Sequence, residues 1–422
     1  MIDIRELREN PERFREGARK KHFDVDIDTI LKLDEERRSL QASVDSRRRE
    51  LGDKSRAMKS ASPEERNNLQ RELKKFSRAI KEDEGRMREI DDRRNELLLL
   101  IPNPPMDDVP EGRDESENVE IRRVGEPPKF SFEPRDHLDL GLQHDLVDVE
   151  RGVKISGSRC YFLKNEAVLL ENAIMRYALD FLTERGFTPF ITPVFVREEA
   201  MVGTGYFPTG REESYAIERD ELYLIGTSEV TLVSYHYDEI LSEEDLPLRY
   251  VGLTTCFRRE AGSYGKDIRG LYRVHQFQKV EQVIVCRDDW DEMAKIHEEI
   301  LSHSEQILRN FGIAYRIVEV CTGDMGMGQV KKHDIECWMP GRGGWGETHS
   351  CSSFADYQAR RSKIRYRKKN GGNAFPFTLN NTAVASPRLI IAIMENFQQD
   401  DGSIVIPEVL VPYMKGRKKI GA

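Results

Sequence analysis

Residues 254–286, TTCFRREAGSYGKDIRGLYRVHQFQKVEQVIVC, decide the fold class. Two runs rich in β-branched and aromatic residues flank a polar loop containing glycines, the pattern of consecutive strands. Period-two alternation puts Arg258 and Glu260 on one face of the first strand, and Arg273, His275, Phe277, Lys279 and Glu281 on one face of the second. The loop is too short for a helical crossover, so the pair is antiparallel. Guanidinium, carboxylate and aromatic groups then crowd one side of a sheet. A solvated face can carry such charges but has no use for Phe277, whereas a flat heterocycle stacks on such a ring.

Outward from this pair, IAYRIVEVC (313–321) and HDIECWM (333–339) read as further strands. LLENAIMRYALDFLTERGF (169–187) reads as a helix ended by Gly186, and LIIAIMENFQ (389–398) as another. The expected fold class of residues 131–422 is α+β, an antiparallel sheet flanked by helices. Residues 101–130 carry six prolines and mixed charge, which predicts a linker or an extended wrap. Residues 1–100 differ again. Ile30, Leu33, Leu40, Val44 and Leu51 follow a 3,4 spacing, broken at Ser60–Pro63 and resumed from Leu69 to Leu97. Seams this narrow are buried only against each other, so an antiparallel helical hairpin with arms of about 30 residues is predicted.

Charge divides the molecule in the same way. The 422 residues carry 66 basic and 75 acidic side chains, a net of -9, which excludes generalised attraction to polyanions. Yet residues 47–81, the tip half of the hairpin, hold 12 Lys/Arg against 5 Asp/Glu. A basic patch on an acidic chain points to a phosphate backbone rather than to mere solvation. No apolar run approaches the 18 residues of a membrane span, and the charged N-terminus has no signal-type core, so a cytosolic protein with no membrane partner is expected. The six cysteines are scattered without a CxxC pair and are read as buried, reduced thiols.

Neither GxxxxGK[ST] nor a GxGxxG after a strand is present, so a nucleotide would be held in another way. LNNTAVASPRLIIAIMENFQ (379–398) places Ser386 as N-cap and Pro387 as first helical residue, with Arg388 in the first turn. Free amides and a guanidinium together favour a phosphate there.

FRRE (257–260), the loop leading to RVHQF, and Arg388 opening an apolar helix resemble the second and third signature motifs of class II aminoacyl-tRNA synthetases. Pro193 in GFTPFITPVFV resembles the first, which belongs to a dimer interface. MVGTGYFP (201–208), LIGTSEV (224–230), CTGDMG (321–326), ETHSCSSFADYQARR (347–361) and MENFQQDDGSIVIPEVLVPYM (394–414) are similar to the seryl branch of that class. HIGH and KMSKS, the marks of the other class, are absent.

The resemblance implies ATP-dependent attachment of L-serine to serine tRNA through a seryl-adenylate, with selenocysteine tRNA left open as a second acceptor. It implies Arg258, Glu260 and Arg388 as catalytic groups: Arg258 between α-phosphate and serine carboxylate, Glu260 beside the adenine, Arg388 on the γ-phosphate. Arg259, Val274, Phe277, Glu347, Thr348, His349 and Ser350 complete the implied ATP contacts, with Phe277 under the base and Mg2+ at Glu347 and Ser350. Thr227, Ser228, Glu229, Arg258, Glu281, Asn380 and Thr382 are the implied serine contacts. The hairpin would grip the long variable stem of the tRNA through Arg48, Lys74 and Lys75, in a homodimer. Many family members carry glycines where this chain has Asn381, Ala383 and Pro387, which leaves the local backbone path open. Two rivals stand beside this: a ligase for carrier proteins, whose kind lacks the helical arm, and a non-catalytic tRNA or nucleotide sensor.

Overall fold

Asp26 caps the first long helix of the computed structural model, α1 (Ile27–Ala57), by accepting a hydrogen bond from the Thr29 amide at 2.9 Å. Two short helices, Ile4–Glu9 and Pro11–Lys20, precede it. After the turn, Ser62 and Glu65 form a reciprocal capping box and Pro63 opens α2 (Pro63–Leu98). The two long helices contain 31 and 36 residues and pack along each other. Ile30, Val44, Ile90 and Leu98 are buried in the seam. Arg37 and Arg47, which interrupt the apolar repeat, reach across to Asp91 and Asp83. Asp34 is also buried, and Arg8, Arg38 and Arg94 converge on its carboxylate at 2.9, 3.1 and 3.3 Å.

The structure describes residues 1–261 and 270–421, in two units, Met1–Pro102 and Asn103–Ala422. The glycine-bearing loop between the two deciding strands falls largely at residues 262–269, outside the described residues. The second unit is built on an eight-stranded sheet. Its strands are β1 (Val119–Val124), β2 (Thr188–Phe190), β3 (Leu248–Phe257), β4 (Gln276–Cys286), β5 (Tyr315–Glu319), β6 (Lys331–Met339), β7 (Gly344–Ala355) and β8 (Phe377–Ala385). They lie in the order β1-β5-β6-β7-β8-β4-β3-β2, antiparallel except for the edge pair β2 and β3.

The proline-rich stretch expected as a linker belongs to this unit instead. The Asn103 amide donates to Met327 O, that of Met106 to Val330 O, and β1 pairs with β5. Its prolines keep the chain extended against strand edges, and the alternation of VEIRRV then adds a strand.

Three helices cover one face: α3 (Asn165–Thr183), α4 (Trp290–Phe311) and α5 (Ser386–Asn396). Val280, Ile284 and Cys286 of β4 and Leu379 and Ala383 of β8 point into the core beneath them. The opposite face carries Lys279, Glu281, Asn380 and Thr382. Two irregularities shape that face. The register slips at Val280/Glu281, leaving Ala383 unpaired, and at Ile335/Glu336, leaving Thr348 unpaired. Such bulges re-aim side chains beside functional sites.

Four sequence expectations need correction. Arg258–Glu260 lie beyond the end of β3, where Glu260 adopts φ 53°, so they are not alternating strand residues. Arg273 and His275 precede β4, and His275 turns away to stand edge-on to Tyr215. Ser386 is the first helical residue, not the cap; its hydroxyl accepts from the Gln278 amide, tying α5 to β4. All six cysteines are free, but Cys160 is only half-buried.

Candidate active site

Arg258 leaves the end of β3 and Arg388 opens α5, and both line one cavity of about 230 Å3. Arg258 donates from Nε to Gly226 O at 3.4 Å, and its guanidinium stands 5.4 Å from the centre of the Phe277 ring. Arg388 donates to Glu347 O at 2.7 Å and to the Glu347 carboxylate at 3.1 Å, and from Nε to Tyr272 O at 3.2 Å. Its guanidinium also lies 4.3 Å from the Tyr272 ring centre. Glu260, Val274 and Phe277 form one wall; Glu347, Thr348, His349 and Ser350 form another. The bulge at Thr348 explains how four consecutive residues of one strand reach the same cleft.

The cleft is strongly polarised. Burial alone would push the Glu347 carboxyl up, but Arg388, Lys332 and Arg258 pull it down to about 2. Lys332 pairs with Asp334 at 3.0 Å, and burial pushes the Asp334 carboxyl up to about 6 despite that partner. Burial also drives the His349 imidazole down to about 4, so it is neutral near pH 7. A Cβ on Gly346 would meet Met339 Sδ at 2.8 Å and the Tyr272 ring edge at 3.1 Å, so either side chain would have to shift to admit it. The bare backbone lets Tyr272 lie flat beside Arg388.

A second cavity of about 320 Å3 adjoins the first and shares Arg258, Lys279, Gln329, Ser350 and Thr382 with it. Glu229, Glu281, Asn380 and Tyr206 line its inner part. Thr382 donates to Glu281 at 3.2 Å, and Lys279 forms an ion pair with the same carboxylate. Burial, then Glu281, raises the Glu229 carboxyl to about 7. The chain at Asn381-Thr382-Ala383 is ordinary strand with one bulge. Asn381 turns to the helix side, donating to Ser304 Oγ at 2.8 Å, so losing the family glycines leaves the hydroxyl of Thr382 in the cavity.

Three named residues stand outside both cavities. Arg259 is exposed, with its amide donating to Glu213 O at 3.0 Å. Thr227 is buried and accepts from the Glu229 amide at 3.2 Å, which fixes the start of the helix Glu229–Ser234. Ser228 is fully buried beneath it. Conversely, Tyr206, Lys279, Gln329, Lys332 and Tyr272 line the site without having been assigned a role. Only Lys279 gave a signal, through its period-two spacing from Glu281. On the hairpin, Lys74 and Lys75 are exposed, and exposed Arg48 pairs with Glu84.

A metal of Mg2+ type fits the residues present. The Glu347 carboxylate lines the cleft, is ionised, and is joined there by Ser350, both hard oxygen donors. Among the described residues no cluster of three or more His, Cys, Asp or Glu could hold an ion unaided. Phosphate oxygens would have to complete its shell.

Residues 214–397 match the family model of the tRNA synthetase class II core domain (G, H, P, S and T), and residues 1–105 match that of the seryl-tRNA synthetase N-terminal domain. The chain is 44% identical to the serine–tRNA ligase of Deinococcus radiodurans, over 100% of this chain and 99% of that protein. It is 48% identical to that of Dictyoglomus thermophilum, over 98% of each. The crystal structure of seryl-tRNA synthetase from Pyrococcus horikoshii complexed with ATP superposes with a TM-score of 0.94, at 38% identity, covering 100% of this chain and 99% of that one. Two family models, full-length identity and a shared fold agree: the chain belongs to the seryl-tRNA synthetase family of class II aminoacyl-tRNA synthetases.

Proposed function

We propose that the protein activates L-serine with ATP and transfers it to serine tRNA. The observation that carries this reading is the shared wall of the two cavities. A nucleotide in the first and a small amino acid in the second would meet at Arg258. A serine carboxylate oxygen attacks the α-phosphorus; the bond to the β-phosphate oxygen breaks, and pyrophosphate leaves. The terminal ribose hydroxyl of the tRNA then attacks the acyl carbon of the seryl-adenylate and AMP leaves. Both steps need alignment and charge neutralisation more than a protein nucleophile.

In this reading the planar fork of Arg258 bridges the α-phosphate and the serine carboxylate. Phe277 carries the adenine, with Glu260 and the backbone of Val274 beside it. Arg388 receives the terminal phosphate, held in place by Glu347 and Tyr272. Glu347 and Ser350 would hold Mg2+, which neutralises phosphate charge when bound. Glu281 and Glu229 receive the serine ammonium and hydroxyl, with Thr382 and Asn380 closing the pocket. A site built to hydrogen-bond a hydroxyl rejects alanine, because its own polar groups would be left unpaired. Arg48, Lys74 and Lys75 engage the tRNA backbone from the hairpin.

A homodimer is supported by the apolar side chains left bare on either side of Pro193 in the chain: Ile191 is 89% exposed and Phe195 50%. No helix among the described residues is long and apolar enough to cross a membrane; a cytoplasmic site of action follows from the reaction itself. The deciding experiment is serine-dependent ATP–pyrophosphate exchange followed by charging of serine tRNA. Both activities are expected. Absence of exchange leaves a sensor, and exchange without charging leaves a carrier ligase.

A further inference from the structure

Gln358 lies on the short helix Tyr357–Arg361, 1% exposed and outside both cavities. Its amide is fully engaged. Nε2 donates to Glu229 Oε1 at 2.7 Å and to Thr204 O at 3.1 Å, while Oε1 accepts from the Thr378 hydroxyl at 2.7 Å. Turned over, the amide would set its oxygen against a carboxylate and a carbonyl, so one orientation alone satisfies all three partners. The second oxygen of Glu229 accepts from the Tyr206 hydroxyl at 3.2 Å.

These contacts join three walls of the inner cavity. Glu229 begins a helix, Thr204 ends the helix Glu198–Thr204 with Tyr206 just beyond it, and Thr378 shares a strand face with Asn380 and Thr382. Each Glu229 oxygen is held by one neutral donor and keeps lone-pair capacity for a further one. Glutamate at position 358 would face a second carboxylate, and an apolar residue would strand three buried polar groups.

We infer that Gln358 is the positioning residue for Glu229, fixing the carboxylate at the geometry in which the ammonium or hydroxyl of a small hydroxylated amino acid is received. Gln358 touches no substrate and acts through Glu229, so the inference rests on the proposed role of that residue. Tyr206 closes the same arrangement from the cavity side.

The test is pyrophosphate exchange by the full-length protein, with KM determined separately for serine and ATP. Gln358→Glu is expected to raise the serine KM about 30-fold at about pH 8, with the ATP KM within about two-fold. At about pH 6 the defect shrinks to less than about ten-fold, because a proton shared by the two facing carboxyls restores a donor. Thr378→Val, which frees the amide to turn, is expected to raise the serine KM about five-fold with no such pH dependence. Equal rises in both Michaelis constants, or a pH-independent Gln358→Glu defect, overturn the inference. Should Gln358→Glu lose its cooperative melt, Thr378→Val decides, and an unchanged serine KM there overturns it. Glu229→Gln separates the two layers. If it leaves the serine KM unchanged, the role of Glu229 falls and the inference with it. If it raises that KM while the Gln358 and Thr378 variants do not, the inference alone falls.

Discussion

Glu229 keeps its proton up to about pH 7 because burial, then Glu281, disfavours its charge, whereas the ammonium group it would receive is a cation. The sign follows from linkage. A carboxyl whose folded pKa lies above its unfolded value contributes stability that is full below the unfolded value and is lost as pH rises towards about 7. Glu229→Gln should therefore stabilise the free protein at about pH 8, by on the order of 3 kcal/mol, and change little at about pH 5. Melting curves at the two pH values check this, and equal shifts at both would refute it. The serine KM of the unaltered protein should fall as pH rises from about 6 to about 8, since the ionised carboxylate receives the cation better, with the ATP KM flat. Arg388 poses a different question. Two hydrogen bonds to Glu347 and a stacking contact with Tyr272 use its planar fork. Arg388→Lys should therefore lower exchange kcat nearly as far as Arg388→Ala, about a hundred-fold. Recovery of most of the rate by lysine would sink that account. Arg258, Glu281, Glu347 and Arg388 were legible because their motifs recur in fixed order and flank strands or a helix start. Gln358 was not, because its contact with Glu229 spans 129 positions and no local periodicity encodes it. Arg259, Thr227 and Ser228 sit inside recognisable motifs yet stand back from the cavities; a motif marks a segment without saying which of its side chains faces the ligand.

The hairpin was readable as an element because narrow apolar seams leave a helix pair only one way to bury them, and the Ser/Pro break announced its turn. What the repeat could not convey is the buried carboxylate of Asp34 with its three arginines. Asp34→Ala should destabilise α1 and α2 by about 2 kcal/mol, less than a fully buried pair because Arg8 and Arg38 remain partly solvated. Hydrogen exchange of the α1 amides should then accelerate about 30-fold, and unchanged protection would count against the role assigned to this cluster. Replacing Arg48, Lys74 and Lys75 together by alanine should weaken tRNA charging and lower the slope of log affinity against log salt by about two, leaving exchange intact. A matching loss of exchange would remove the arm from tRNA recognition. In the second unit the strands were legible in kind but not in extent. Alternation was carried too far at Arg258–Glu260, where Glu260 turns the chain with a positive φ, and at Arg273 and His275. Residues 101–130 were left between a linker and an extended wrap because proline content marks both, and only the pairing of β1 with β5 distinguishes them.

At the scale of the whole protein, the proposed homodimer would cover the apolar side chains beside Pro193. Ile191→Glu, at a side chain 89% exposed in the single chain, should weaken self-association by about ten-fold or more through burial of an unpaired charge. Sedimentation velocity over a dilution series reads this directly, and an unaltered dimer would place the contact elsewhere. The eight-stranded sheet has its own consequence. Both cavities are floored by the same rigid strands and share Arg258, Lys279, Ser350 and Thr382. Their separation is therefore set by hydrogen-bonded backbone rather than by a hinge. An inhibitor that tethers a seryl head to a nucleoside through an unreactive linker of that fixed span would anchor its second half at high effective concentration once the first is seated, and its affinity should far exceed that of either fragment.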